Sequence, residues 1–302
     1  MDRRLGILGI GRMGSAMWQH LHGLRHTAVV FDTNVEAIAA LAREGADAAA
    51  SPSDLASRAG TIICSLPRSE DVEIALLSDD GVLVDARPGT LVIDTTSGAP
   101  SRSREIAADC AERAVAYVDA GVSGGVHGAA RGELSIMVGG SDRDFAAAKP
   151  TLDLLGRSIW HCGPPGTGHA MKAVLNLSNQ AKMLVEIEAL LVGRAAGLDA
   201  AQMMEVLGLR TWQTFLASPD GRREFGFSLG MSCKDYDVGI ELAEEGDVPL
   251  RTLAAAHQTM NAILDAIGPD ADIIDYVSVL EHDANVELPN HGHDHSHEEH
   301  RS

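Results

Sequence analysis

Short apolar runs alternate with amphipathic, alanine-rich stretches through the first half of the chain. The runs are LGILGI from Leu5, TAVVFD ending at Asp32, TIICSL from Thr61, TLVIDT from Thr90, VAYVDA ending at Ala120, and SIMVGG from Ser135. Helical spacing fills the gaps between them, as in 35–44 and 101–113. Apolar runs of strand length alternating with helices predict βαβ units and a largely parallel sheet. The run Gly163, Pro164, Pro165, Gly166, Thr167, Gly168 then breaks the pattern, and only helical spacing follows. Residues 169–196 hold few breakers apart from Gly193 and predict one helix of about 40 Å. Further helices are expected over 200–209, 230–245 and 250–266, and there is no internal repeat. The predicted architecture is an α/β domain over 1–163 joined by a long interdomain helix to an all-α domain over 164–287, with a tail over 288–302.

Composition narrows the function. Of 302 residues, 45% are apolar, 22% charged and 4% aromatic, the balance of a globular chain whose core is aliphatic. A formal net charge of −19 argues against nucleic acid, whose capture depends on Lys and Arg displacing counterions. The same charge repels anionic substrates at long range, so an anion site needs locally placed donors. The four cysteines show no CxxC or metal-ligand spacing, as in a chain kept reduced, and they read as core thiols. No uncharged apolar run reaches about 18 residues, so no membrane span is expected. The start, with Asp2, Arg3 and Arg4 before a glycine-broken run, does not read as a signal segment, and the cytoplasm is the expected address. The tail holds five of the thirteen histidines and almost nothing apolar, which predicts disorder. It reads equally as a metal-binding tail or a solvated one; no metal is expected elsewhere.

Gly9, Gly11 and Gly14 form G-x-G-x-x-G, with Arg12 and Met13 between the last two, directly after the first strand and before helical spacing over 15–24. That context suits a dinucleotide. The first glycine allows the tight turn, the second lets backbone approach the pyrophosphate, and the third lets helix and strand pack closely. The helix N-terminus then offers N–H groups and partial positive charge to the phosphates. The second strand ends in Asp32, about 20 residues on, where a carboxylate accepts the ribose hydroxyls and repels a 2′-phosphate. NAD is therefore preferred, while Arg43, Thr33 and Asn34 nearby leave NADP possible.

Three further motifs follow in order: DAGVSGGVHGAARGELSIMVGG over 119–140, GTGHAMKAVLN over 166–176, and the pair Lys234, Asp235. Ser123, Gly124 and Gly125 make a small-residue turn able to offer N–H groups and a hydroxyl to a carboxylate, the local anion site that an acidic surface requires. Lys172 and Asn176 stand four apart, so on a helix they share a face. A lone helical lysine is ordinarily a solvated charge; the glycine pair before it and the other motifs argue otherwise. Strand ends SLP at 65–67 and DTTS at 94–97 put Leu66, Pro67, Thr96 and Ser97 where ligands of parallel sheets bind.

Together these motifs resemble the β-hydroxyacid dehydrogenase family, which includes 3-hydroxyisobutyrate dehydrogenase and tartronate semialdehyde reductase, from about Arg4 to Leu280. The resemblance implies a Rossmann-type cofactor domain and a helical substrate and dimerisation domain. It makes Lys172 the general acid or base, Asn176 its substrate-positioning neighbour, Ser123, Gly124 and Gly125 the carboxylate site, and Lys234 a group near cofactor and substrate. The implied reaction oxidises a small β-hydroxyacid to its semialdehyde, or reverses this. A lysine ordinarily titrates near ~10.4, so base service requires desolvation or a second cation such as Lys234. Two departures stand out: Leu175 replaces the first asparagine of K-x-x-N-N, and Gly121 the proline of DAPVSGG. The second of these matches 6-phosphogluconate dehydrogenases, the alternative enzymatic reading, though those usually have His-Asn at 175 and 176. Imine reductases usually lack the lysine. A non-catalytic NAD-binding protein is the remaining alternative, and the apolar second domain predicts a homodimer or homotetramer.

Overall fold

The computed structural model describes residues 4–209, 212 and 226–288. Its first elements are β1 (Leu5–Leu8), α1 (Arg12–Gly23), β2 (Ala28–Phe31), α2 (Val35–Arg43), β3 (Asp47–Ala48), α3 (Pro52–Arg58) and β4 (Thr61–Cys64). There follow α4 (Ser69–Leu77), α5 (Val82–Asp85), β5 (Leu91–Asp94), α6 (Pro100–Glu112), β6 (Ala116–Ser123), α7 (Gly125–Arg131), β7 (Leu134–Gly139), α8 (Asp142–Leu155) and β8 (Gly156–Gly163). The remaining elements among the described residues are helical: α9 (Thr167–Ala195), α10 (Ala200–Leu207), α11 (Leu229–Glu245), α12 (Thr252–Ile267), a 3-10 turn at Ile273–Asp275, and α13 (Tyr276–Ala284). The chain divides into two compact units, Met1–Leu175 and Asn176–Ser302, so the division falls within α9.

In the first unit the strands form one eight-stranded sheet in the order β3-β2-β1-β4-β5-β6-β7-β8. Strands β1, β4 and β5 are buried at every residue, because helices cover both faces of a parallel sheet. Alternation with period two sends Ile7, Ile63 and Ile93 into one core and Leu8, Ile62, Cys64 and Val92 into the other. The second unit has its own core, in which Leu184, Ile187 and Leu190 of α9 meet Tyr236, Met260, Tyr276 and Val277. Gly239 of α11 lets that helix lie against Leu177, whose Cδ1 a Cβ there would meet at 2.7 Å.

Several expectations are corrected. Strands β3 and β8 carry no clear apolar run: both are edge strands, and Trp160 of β8 is 51% exposed. Strand β7 runs antiparallel to β6. The link between them holds only α7 and its flanks, whereas a parallel crossover takes a dozen or more residues, a constraint of length that apolar runs do not display. Ser228 caps α11, accepting from the Met231 N–H at 3.4 Å, so Lys234 lies in the second turn. Cys162 is only half-buried, whereas Cys64, Cys110 and Cys233 are core residues. The histidine-rich tail lies outside the described residues, apart from Leu288, which is buried in the helical core. Among the described residues no helix is long and apolar enough to cross a membrane.

Candidate active site

Parallel pairing brings the site residues of the first unit to one edge. Leu8 is in register with Phe31 and with Cys64, Cys64 with Asp94, and Asp94 with Asp119. The carboxyl ends of β2, β1, β4 and β5 therefore lie side by side with Asp119 of β6, about 19 Å from first to last at ~4.8 Å per strand, and β6 runs on from there to Ser123. Asp32, Gly9, Leu66 and Thr96 follow the ends of β2, β1, β4 and β5 in that spatial order, and Ser123 is the last residue of β6. The strand order reverses at β1 and β4, the switch point at which open α/β sheets bind ligands.

The glycine turn is built around close contacts. Gly9 has φ +89, and a Cβ on it would overlap the Ser65 carbonyl oxygen; a Cβ on Gly14 would overlap the Gly9 carbonyl oxygen. Gly11 differs, since a Cβ there meets nothing within 4 Å. It is the exposed N-cap of α1, which receives no side-chain cap. Open space in front of an uncapped helix start is what an anionic pyrophosphate requires. Arg12 is exposed beside this opening, and Met13 is half-buried and packs on the core. Asp32 already works for the turn: its carboxylate accepts from the Ile10 N–H at 2.7 Å and the Asn34 N–H at 2.8 Å. About half of its four acceptor sites remain for ribose hydroxyls.

At the ends of β4 and β5, the Leu66 N–H donates to Thr96 Oγ1 at 3.2 Å, and Thr95 Oγ1 donates to the Cys64 carbonyl at 2.6 Å. Pro67 is exposed and Ser97 half-buried, both beyond the strand ends. Below them lies a buried polar group. Asp94 accepts from the Thr96 N–H at 3.0 Å and from the Tyr117 hydroxyl at 2.8 Å. Burial, with Asp94 and Asp119 adding to it, pushes the Tyr117 phenol well above its ordinary range, so it stays a donor. His169 Nδ1 lies 2.7 Å from Ser103 Oγ.

Asp119, Gly121 and Ser123 alternate along one face of β6. Asp119, fully buried, accepts from the Gly166 N–H at 2.7 Å, just before α9, and from the His169 N–H at 2.8 Å in its first turn. A Cβ on Gly121 would lie 2.6 Å from the Lys172 Cβ, so the lysine stem rests on bare strand. Ser123 stands two residues further, about 6.6 Å along the strand. The exposed Gly124 (φ +126) and Gly125 (φ +61) then turn the chain into α7. Lys172, half-buried, and the turn of Ser123, Gly124 and Gly125 thus lie within one small molecule's length of each other.

In the second unit, buried Asn176 donates from Nδ2 to Asp235 Oδ2 at 3.0 Å, and Lys234 Nζ lies 3.0 Å from Asp235 Oδ1. Asp235 only accepts, so it fixes which end of the Asn176 amide faces it. Sequence reasoning missed Asp94, Asp119, His169 and Asp235 as site-building residues. Asp119 and His169 stand inside the recognised motifs, but spacing gave no sign that one binds the other's backbone.

A dinucleotide-binding α/β unit with a lysine held at its strand ends defines a nicotinamide-dependent oxidoreductase. Residues 4–163 match the model described as the NAD-binding domain of 6-phosphogluconate dehydrogenase. Residues 166–280 match the one described as NAD-binding of NADP-dependent 3-hydroxyisobutyrate dehydrogenase. The chain is 34% identical over 262 residues to 2-(hydroxymethyl)glutarate dehydrogenase of Eubacterium barkeri, covering 84% of this chain and 87% of that one. It is 33% identical over 267 residues to NAD-dependent L-serine dehydrogenase of Pseudomonas aeruginosa, covering 83% and 90%. The solved Mycobacterium tuberculosis 3-hydroxyisobutyrate dehydrogenase with L-serine superposes with a TM-score of 0.83 at 28% identity, covering 93% of this chain and 99% of that one. The chain belongs to the β-hydroxyacid dehydrogenase family.

Replacing Gly9 with Ala forces a left-handed backbone on a side chain and overlaps Ser65. Affinity for NAD, followed by calorimetry, should fall by about 10-fold or more, and unaltered affinity would refute this account of the turn.

Proposed function

We propose that this protein oxidises a small β-hydroxyacid to its semialdehyde, or reduces the semialdehyde, with a nicotinamide cofactor and Lys172 as general acid and base. The observation that carries the reading is Lys172 seated on Gly121, two strand residues from Ser123. Backbone N–H groups of Gly124 and Gly125 and the Ser123 hydroxyl hold the substrate carboxylate, which brings the β-carbon hydroxyl toward Lys172. The bound nicotinamide supplies the hydride acceptor or donor. In oxidation the neutral amine of Lys172 takes the hydroxyl proton; in reduction its ammonium polarises the carbonyl and returns that proton. Asn176, oriented by Asp235, positions the substrate, and Lys234 serves cofactor and substrate. The substrates in the relatives' names, 2-(hydroxymethyl)glutarate, L-serine and 3-hydroxyisobutyrate, share a hydroxymethyl group on the carbon that bears the carboxylate.

Gly9, Gly11, Arg12, Met13 and Gly14, together with Leu66, Pro67, Thr96 and Ser97, would hold the cofactor. Asp32 favours NAD by repelling a 2′-phosphate. Residues 1–163 form the cofactor domain and 164–287 the substrate and dimerisation domain. The chain assembles as a homodimer or homotetramer, supported by exposed apolar residues that the helical core leaves uncovered: Val185 (57%), Val192 (71%) and Val206 (79%). Four cysteines outside any disulfide suit the cytoplasm.

Lys172→Ala should lower kcat about 100-fold to 10,000-fold on a panel of β-hydroxyacids while NAD affinity holds; substantial turnover in that variant would remove the lysine from the mechanism. Direct titration should show NAD binding at least about tenfold tighter than NADP, since a like-charge clash exceeds ~1.4 kcal/mol. Asp32→Ser should narrow that gap, and a native preference for NADP would contradict the role of Asp32. Light scattering should give an oligomer that Val185→Glu with Val192→Glu converts to monomer; a native monomer would refute the assembly.

A further inference from the structure

The first turns of α9 are held against β6 and β7 by contacts that leave little room. Asp119 accepts from the amides of Gly166 and His169 at 2.7 and 2.8 Å. Gly139 of β7 makes space for that carboxylate, since a Cβ there would meet Asp119 Oδ1 at 2.5 Å. Gly168 brings the helix onto the strands: a Cβ on it would meet the carbonyl oxygens of Asp119 and Met137 at 2.5 Å. One strand-face position further along β6, Gly121 receives the stem of Lys172.

Capping alone does not explain this arrangement. Where other α-helices of the described residues have a side-chain cap, it comes from their own N-cap residue, Asn34, Ser51, Ser141, Asp199 or Ser228, and helices such as α1, α4 and α6 have none. At α9 the cap position is Gly166, and the acceptor comes from a strand 47 residues earlier in sequence, fully buried. A local Ser or Asp would satisfy the amides without burying a carboxylate. The long-range cap does something a local one cannot, because it ties the helix to the strand that carries Ser123. Sliding α9 along its axis breaks an Asp119 hydrogen bond, and rotating it lifts Lys172 off Gly121. Helix rise and strand rise, ~1.5 and ~3.3 Å per residue, then fix the height of Lys172 beside the carboxylate turn.

We propose that Asp119 is a positioning residue for Lys172: through the backbone of α9 it sets where the amine meets the substrate hydroxyl. The inference rests on Lys172 as the proton carrier, and the experiment separates the two. Asp119→Asn and Gly121→Ala are each made in the wild-type chain and in Lys172→Ala. Turnover is measured with the best β-hydroxyacid of the panel, the Lys172→Ala background being assayed with and without methylamine as a substitute amine. Asp119→Asn should lower kcat about 100-fold in the wild-type background, the cost of a displacement near 1 Å. Cofactor affinity should be unchanged, and in the Lys172→Ala background the same substitution should cost no further activity.

Wild-type kcat in Asp119→Asn would overturn the proposal. So would an equal loss in both backgrounds, which marks plain support of the fold. If Asp119→Asn does not fold, Gly121→Ala carries the test, because it pushes on Lys172 from the strand, and an unaltered kcat there would again overturn the proposal. Full turnover in Lys172→Ala would overturn the proton-carrier reading and this one with it, a pattern distinct from a dead Lys172→Ala beside an unaltered Asp119→Asn.

Discussion

A carboxylate buried in a protein interior must find donors for its oxygens or lose several kcal/mol to desolvation. Asp119 finds them in the amides of Gly166 and His169 at the start of α9, where the aligned peptide dipoles add partial positive charge. That one contact joins α9, the longest helix among the described residues, to the central sheet. Gly139 and Gly168 exist as glycines because the contact leaves no space for a Cβ, and Lys172 takes its place on β6 as a consequence. Packing, polar satisfaction and the proposed chemistry therefore share a single anchor, and the residues around it cannot vary independently.

The sheet supplies the rest of the geometry. Because β2, β1, β4, β5 and β6 are parallel and in register, the carboxyl ends of the first four present one row of loops beside Asp119 of β6, each reached by a different strand. A dinucleotide is an extended molecule, and a row of about 19 Å suits it. The close-packed turn at Gly9 and Gly14 holds the middle of the row, while hydrogen bonds from Leu66 to Thr96 and from Tyr117 to Asp94 stiffen the far end. The antiparallel β7 ends the doubly wound pattern beside β6. Its Gly139 and the carbonyl of Met137 form part of the seat for α9.

Electrostatics divides the labour between surface and site. A net charge of −19 gives no general attraction for an anionic substrate or cofactor. The short-range donors available are the uncapped start of α1 and, in the function proposed, the glycine turn at Gly124 and Gly125 and the lysines. Each acts within a few ångströms, so selectivity depends on shape and placement more than on long-range steering. The pair Asn176 and Asp235 follows the same logic in the second unit, where a buried carboxylate orients an amide that would otherwise rotate.

The sequence by itself determined the class of fold, the fingerprint and the family, because each of these is written in local periodicity or in residue spacing. Strand-length apolar runs announced the parallel sheet, and the break at 163–168 announced the helical half. Edge strands β3 and β8 escaped notice because half-exposed strands need no apolar run, and the direction of β7 escaped because direction depends on connection length and pairing. Lys172 and Ser123 were legible as candidates, yet nothing in their spacing brought them near one another. Tertiary structure alone decided that Asp119 binds the backbone at Gly166 and His169, that Gly121 clears the ground for Lys172, and that Asp235 holds Asn176. Those are contacts between residues 47 or more apart in the chain, set by strand register and helix placement, and a pattern of residue types carries no record of either.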